Sequence, residues 1–131
     1  MRITPNNITK LEDNEIFVFG SNESGRHGKG AAKTALGWGA KWGQGVGMQG
    51  KTYGIPTKDS NVIKTLSLPK IQYNIDNFIK FAQNNPEFIF LVTEIGCGLA
   101  GLKHKEVGPL FQEAKNIKNI YLPEKFWKYI K

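Results

Sequence analysis

The chain has 131 residues, 40% of them hydrophobic and 22% charged, and a formal net charge of +7. That length suits one domain able to bury roughly two-thirds of its unfolded surface, and no apolar run approaches the roughly 20 residues of a membrane-spanning helix. The single cysteine, Cys97, excludes a disulfide scaffold; with a start (MRITPNNITKLEDNE) that lacks an apolar signal region, it leads us to expect a reducing, cytoplasmic setting.

Residues 15–19 (EIFVF) are a short β-prone run that stops at Gly20, the pattern of a buried strand emptying into a loop. Residues 29–38 (KGAAKTALGW) predict a helix with Ala31, Ala32, Ala35 and Leu36 on one face, small enough to lie close to a sheet. Gly37 and Gly39 end it, and residues 41–50 are too rich in glycine to assign an element. Residues 51–55 (KTYGI) predict a second strand closed by Pro56, with Thr57, Lys58 and Asp59 at its exit. Leu68 and Pro69 introduce the clearest helix, 70–83, in which Ile71, Ile75, Phe78, Ile79 and Ala82 recur at helical spacing.

Residues 88–93 (FIFLVT) form an uninterrupted apolar run, as expected of a central strand covered on both faces, and it too runs into glycines, Gly96, Gly98 and Gly101. A helix over 104–116 with Val107, Leu110, Phe111 and Ala114 inward, a strand at 119–122 (NIYL), and a helical turn pinning Phe126, Trp127 and Ile130 complete the chain. The alternation predicts an α/β fold: a single three-layer α/β/α domain over residues 1–131 with a mostly parallel or mixed sheet. Ligands of such sheets bind at the carboxyl ends of strands, where both glycine loops lie.

The stretch from Gly20 to Lys58 holds most of the 15 glycines, and in it Arg26, Lys29, Lys33, Lys41, Lys51 and Lys58 face the lone acid Glu23. Bare backbone amides and lysine field together suit a phosphate-bearing ligand; the alternative is a solvated basic surface. A nucleoside-triphosphate P-loop needs Lys and a hydroxyl where Arg26 and His27 stand, and a dinucleotide fingerprint needs glycines earlier than Gly25, Gly28 and Gly30. Neither a metal site nor a cofactor is expected.

FVFGSN followed by GRHGKGAAKTAL, then YGIPTK and IGCGLAGLKHKEV, resembles the macrodomain family over most of residues 15–115. The likeness is nearest to the branch of terminal ADP-ribose glycohydrolases and of antitoxins that remove ADP-ribose from DNA, and extends to small phage and gut-bacterial proteins. It implies a macrodomain-like fold that clasps ADP-ribose between two loops. Gly20, Ser21, Asn22, Gly28, Lys29, Gly30 and Ala31 would form one rim, and Gly96, Cys97, Gly98, Leu99, Ala100 and Gly101 the other. By the same resemblance Asn22 would meet the distal ribose, unless it caps its own loop.

In the glycohydrolase branch the residue at the place of Lys58 attacks the anomeric carbon of that ribose. The positive surroundings of Lys51 and Lys58 would help such a lysine lose its proton; alternatively Lys58 pairs with Asp59 or faces water. The branch carries an acid inside the second loop where this chain has Ala100, and Glu94, Glu23 and Asp59 are the nearby substitutes. His27 is an acid–base candidate or a simple hydrogen-bonding residue, and Cys97 a nucleophile or a small buried thiol. Three functions follow: binding ADP-ribose or a related nucleotide, with hydrolysis of an ADP-ribosyl linkage on protein or DNA; non-catalytic reading of such nucleotides; or nucleic-acid binding with Trp38, Trp42 and Tyr53 stacking on bases.

Overall fold

The computed structural model describes residues 1–131. Its elements are β1 (Glu15–Asn22), α1 (Gly30–Leu36), β2 (Gly47–Gln49), β3 (Thr52–Lys58), α2 (Leu68–Gln83), β4 (Ile89–Val92), α3 (His104–Val107) with a 3₁₀ helix (Gly108–Ala114), β5 (Ile120–Tyr121) and α4 (Glu124–Trp127). The five strands form one mixed sheet in the order β2-β3-β1-β4-β5, antiparallel only at the β2–β3 pair. No helix is long and apolar enough to cross a membrane.

The period-2 alternation of β1 divides the core. Ile16 and Val18 point into the larger layer with Phe78, Phe90, Phe111 and Phe126, while Phe17 and Phe19 point to the smaller layer, where Ala32 and Ala35 bring α1 close. All five apolar positions expected of α2 are buried. The chain is thus a three-layer α/β/α sandwich with β1 at its centre.

Four local expectations are corrected. β3 runs through Pro56 to Lys58: Phe17 N–H bonds the Lys51 carbonyl, so by alternation Pro56 faces the other edge, which β2 covers only as far as Gly54. No ladder hydrogen is missed there, and Asn74 Nδ2 donates to the Pro56 carbonyl at 3.0 Å. The helix expected over 104–116 is one α turn followed by a 3₁₀ segment, because Pro109 cannot donate the next i→i−4 bond. Leu36, the last residue of α1, is 38% exposed, because the buried face of the helix is carried by Ala32 and Ala35. Residues 47–49, within the stretch too rich in glycine to assign an element, are β2.

Candidate functional site

β1 and β4 are parallel neighbours, so the loops that leave them emerge side by side. Gly20 makes that meeting close: a side chain there would stand 3.3 Å from the Gly96 nitrogen. Between the loops lies a cavity of about 610 Å³. Of the residues expected to bind or act, Gly20, Ser21, Asn22, Gly28, Lys29, Gly30 and Ala31 line one side, Gly96, Cys97, Gly98, Leu99 and Ala100 the other, and Lys58 a third. Gly101 stands outside the lining.

The loop amides are left free. No protein acceptor takes the N–H of Gly28, Lys29, Gly30, Ala31 or Ala32 in the first loop, or of Gly96, Gly98, Leu99 or Ala100 in the second. Arg26, Lys29 and Lys58 add three cations to the lining, against one carboxylate, Glu94. Donors and positive charge converge on one volume, which is the requirement for binding an anion.

The first loop keeps its shape through its own residues. Asn22, only 5% exposed, spends both side-chain atoms on the turn: Oδ1 accepts from Arg26 N–H (2.9 Å) and the Ser24 hydroxyl (3.0 Å), and Nδ2 donates to the Arg26 carbonyl (2.8 Å). Residues 41–50 buttress this turn from behind. Ser21 Oγ donates to the Gly45 carbonyl, and a side chain on Gly45 would lie 2.0 Å from the Asn22 oxygen. Many glycines of the basic stretch therefore serve backbone packing, not the ligand.

His27 does not reach the cavity. It is fully buried, edge-on to Phe19 and Trp42, and its Nε2 lies 2.9 Å from the Gln44 carbonyl, so that nitrogen carries the hydrogen. Burial behind the loop removes it from acid–base work on a bound ligand. Cys97 is half-buried; desolvation first, then the fields of Glu94 and Glu106, push its thiol up to about 11. A thiol so held is protonated at neutral pH and a poor nucleophile.

Lys58 makes no ion pair, and Asp59 is not its partner. The Asp59 carboxylate instead accepts from the N–H of Ile63 (3.0 Å) and Lys64 (3.3 Å), and chiefly the Ile63 bond holds it below the usual range. Lys51 sits at the opposite end of β3, where its Nζ donates to the Leu11 and Glu12 carbonyls, so it lends no field to Lys58. Glu23 is paired with Lys70 at 2.9 Å. Of the three substitute acids only Glu94 lines the cavity. Two aromatics proposed for base stacking are also spent: Tyr53 is 5% exposed, and Trp38 packs on Phe17 with ring centroids 5.0 Å apart. Trp42 alone is open, at 64%.

Sequence reasoning missed a second cavity of about 220 Å³, walled by the segment from Thr4 to Ile8 with Phe17, Thr34 and Pro123. It shares Ala31, Thr93 and Glu94 with the larger one. The N-terminal segment reaches this place because Ile3 bridges to Leu122 beside β5, a contact that no local pattern announces. No group of three or more His, Cys, Asp or Glu is placed to hold a metal ion.

No protein-family model matches the chain, and no curated protein matches it. Among solved structures, a protein of unknown function from Bacteroides thetaiotaomicron superposes with a TM-score of 0.61 at 15% identity, over 88% of each chain. At that identity the likeness concerns the fold alone.

Proposed function

We propose that the protein binds ADP-ribose or a related nucleoside diphosphate, as the macrodomain resemblance of its two loops implies. The observation that carries this reading is the set of unpaired backbone N–H groups in the residues lining both sides of the cavity, with Arg26, Lys29 and Lys58 among them. Backbone donors cost no side-chain entropy to orient and match phosphate oxygens without excluding either neighbour. The smaller cavity, which shares Ala31, Thr93 and Glu94 with the larger, offers the base a place beside the diphosphate.

Hydrolysis of an ADP-ribosyl linkage is the second reading, favoured by the unpaired Lys58 in the cavity wall. Ala100 in place of an acid, with Glu23 and Asp59 tied up elsewhere, weighs toward a binder. Calorimetric titration with ADP-ribose tests the first reading: saturable heat supports it, and no heat and no thermal shift at millimolar ligand overturns it. Incubation with ADP-ribosylated protein and DNA beside a Lys58→Ala variant tests the second. Release lost in the variant supports Lys58 as nucleophile, and equal release by both proteins removes it.

A further inference from the structure

Glu94 is the one acid in a wall otherwise built for an anion. Its side chain is 46% exposed, and its Oε1 lies 2.6 Å from Nε2 of His104, whose hydrogen it accepts. The His104 ring is seated against Phe126, with centroids 6.0 Å apart. That contact fixes one carboxylate oxygen and leaves Oε2 without a protein donor. Glu94 also lines both cavities, as do Ala31 and Thr93. The Thr93 hydroxyl is already committed to the Val18 carbonyl at 2.8 Å.

A carboxylate repels phosphate oxygens, so the place beside Glu94 suits a different part of the ligand. What a carboxylate accepts well is hydroxyl hydrogen, and charge-assisted bonds of that kind are the strong ones. In a nucleoside diphosphate the ribose is covalently placed between base and diphosphate. With the diphosphate over the free amides and the base in the smaller cavity, the ribose falls beside the residues that border both, its diol toward Glu94.

We infer that Glu94 is a specificity-determining residue that reads the hydroxyls of the ribose nearest the base, with His104 as its positioning residue, and that the site selects ribo- over deoxyribonucleotides. This rests on the nucleotide-binding reading above and adds the sugar to it. A site built to pair a hydroxyl discriminates against the analogue that lacks it, because the acceptor is then left without its donor.

The test is calorimetric titration of the full chain with ADP, 2′-deoxy-ADP and 3′-deoxy-ADP, repeated on Glu94→Ala, Glu94→Gln and His104→Ala. Wild type should prefer ADP over at least one deoxy analogue by about tenfold, and Glu94→Ala should bring all three within about twofold. Glu94→Gln, similar in shape but uncharged, should lose most of the preference, and it decides the matter if the alanine variant does not fold. His104→Ala should lower the preference while leaving the affinity for deoxy analogues unchanged. Equal binding of all three by wild type, or a preference that survives both Glu94 substitutions, overturns the inference and leaves the nucleotide reading standing. Failure of wild type to bind both ADP and ADP-ribose overturns the reading and the inference together.

Discussion

Asn22 holds Arg26 by both of its backbone groups, Nδ2 to the carbonyl at 2.8 Å and Oδ1 from the N–H at 2.9 Å. The pair closes the turn that presents the first glycine loop, and it demands an amide. In Asn22→Asp the donor becomes an oxygen facing a carbonyl oxygen in a buried site. The expected loss is about 2 kcal/mol of stability, or roughly 6 °C in Tm, read by thermal denaturation. An unchanged Tm would show that the turn does not depend on this pair.

Two kinds of glycine should separate cleanly. A methyl at Gly45 collides with the Asn22 carbonyl at 2.0 Å, whereas one at Gly98 meets nothing within 4 Å, and Gly98 has no left-handed φ. Gly45→Ala should therefore destabilise by more than about 3 kcal/mol. Gly98→Ala should stay within about 0.5 kcal/mol of wild type in stability yet weaken ADP-ribose binding by about tenfold, since it adds a methyl to the lining of the cavity. Melting curves and calorimetry on the same two proteins check both halves.

These glycines also show where the sequence stops being legible. The runs that feed the two loops, 15–19 and 88–93, and the spacing of α2 carry their structure in plain periodicity, so the sheet centre and the larger core layer can be read directly. The loop residues around Gly28 and Gly98 can be read as a site because glycine is otherwise wasteful there. Residues 41–50 could not be read: Gly45 and Gly25 answer to backbone atoms far along the chain or across the fold, and β2 exists only because β3 offers it an edge. Likewise the burial of His27 and the second cavity depend on long-range packing, by Trp42 and Phe19 in one case and by the N-terminal segment in the other.

The second loop has its own tether. Thr65 Oγ1 donates to the Ala100 carbonyl at 2.7 Å, linking the turn after β3 to the cavity rim. Thr65→Val keeps the volume and deletes the bond, at about 1 kcal/mol. The expected result is faster amide exchange at residues 98–101 and an ADP-ribose affinity about fivefold weaker, since the donors must then be ordered on binding. Exchange rates equal to wild type would assign the bond no part in shaping the rim.

Cys97 gives a pH signature. With its thiol at about 11 against an ordinary 9.0, the folded chain at pH 8 carries roughly a hundredfold less thiolate than the unfolded one. Iodoacetamide labelling should be correspondingly slow in buffer and fast in denaturant. Because the folded state holds its proton longer, this group's contribution to stability is intact below pH 9 and is lost as pH rises from 9 through 11. Labelling as fast in buffer as in denaturant would contradict it.

The two rims of the cavity leave adjacent strands, but α1, β2, β3 and α2 lie between those strands in the chain. A molecule held by both rims therefore fastens together segments that meet only once the central sheet is assembled, a removable crosslink across a long loop closure. Its affinity for any partly folded chain vanishes, so ligand present at a hundred times its Kd adds about 2.7 kcal/mol to the whole molecule, not to one end of it. Cells that keep such a ligand abundant would keep this chain folded, and a truncation before β4 would abolish binding even if the first loop survived intact.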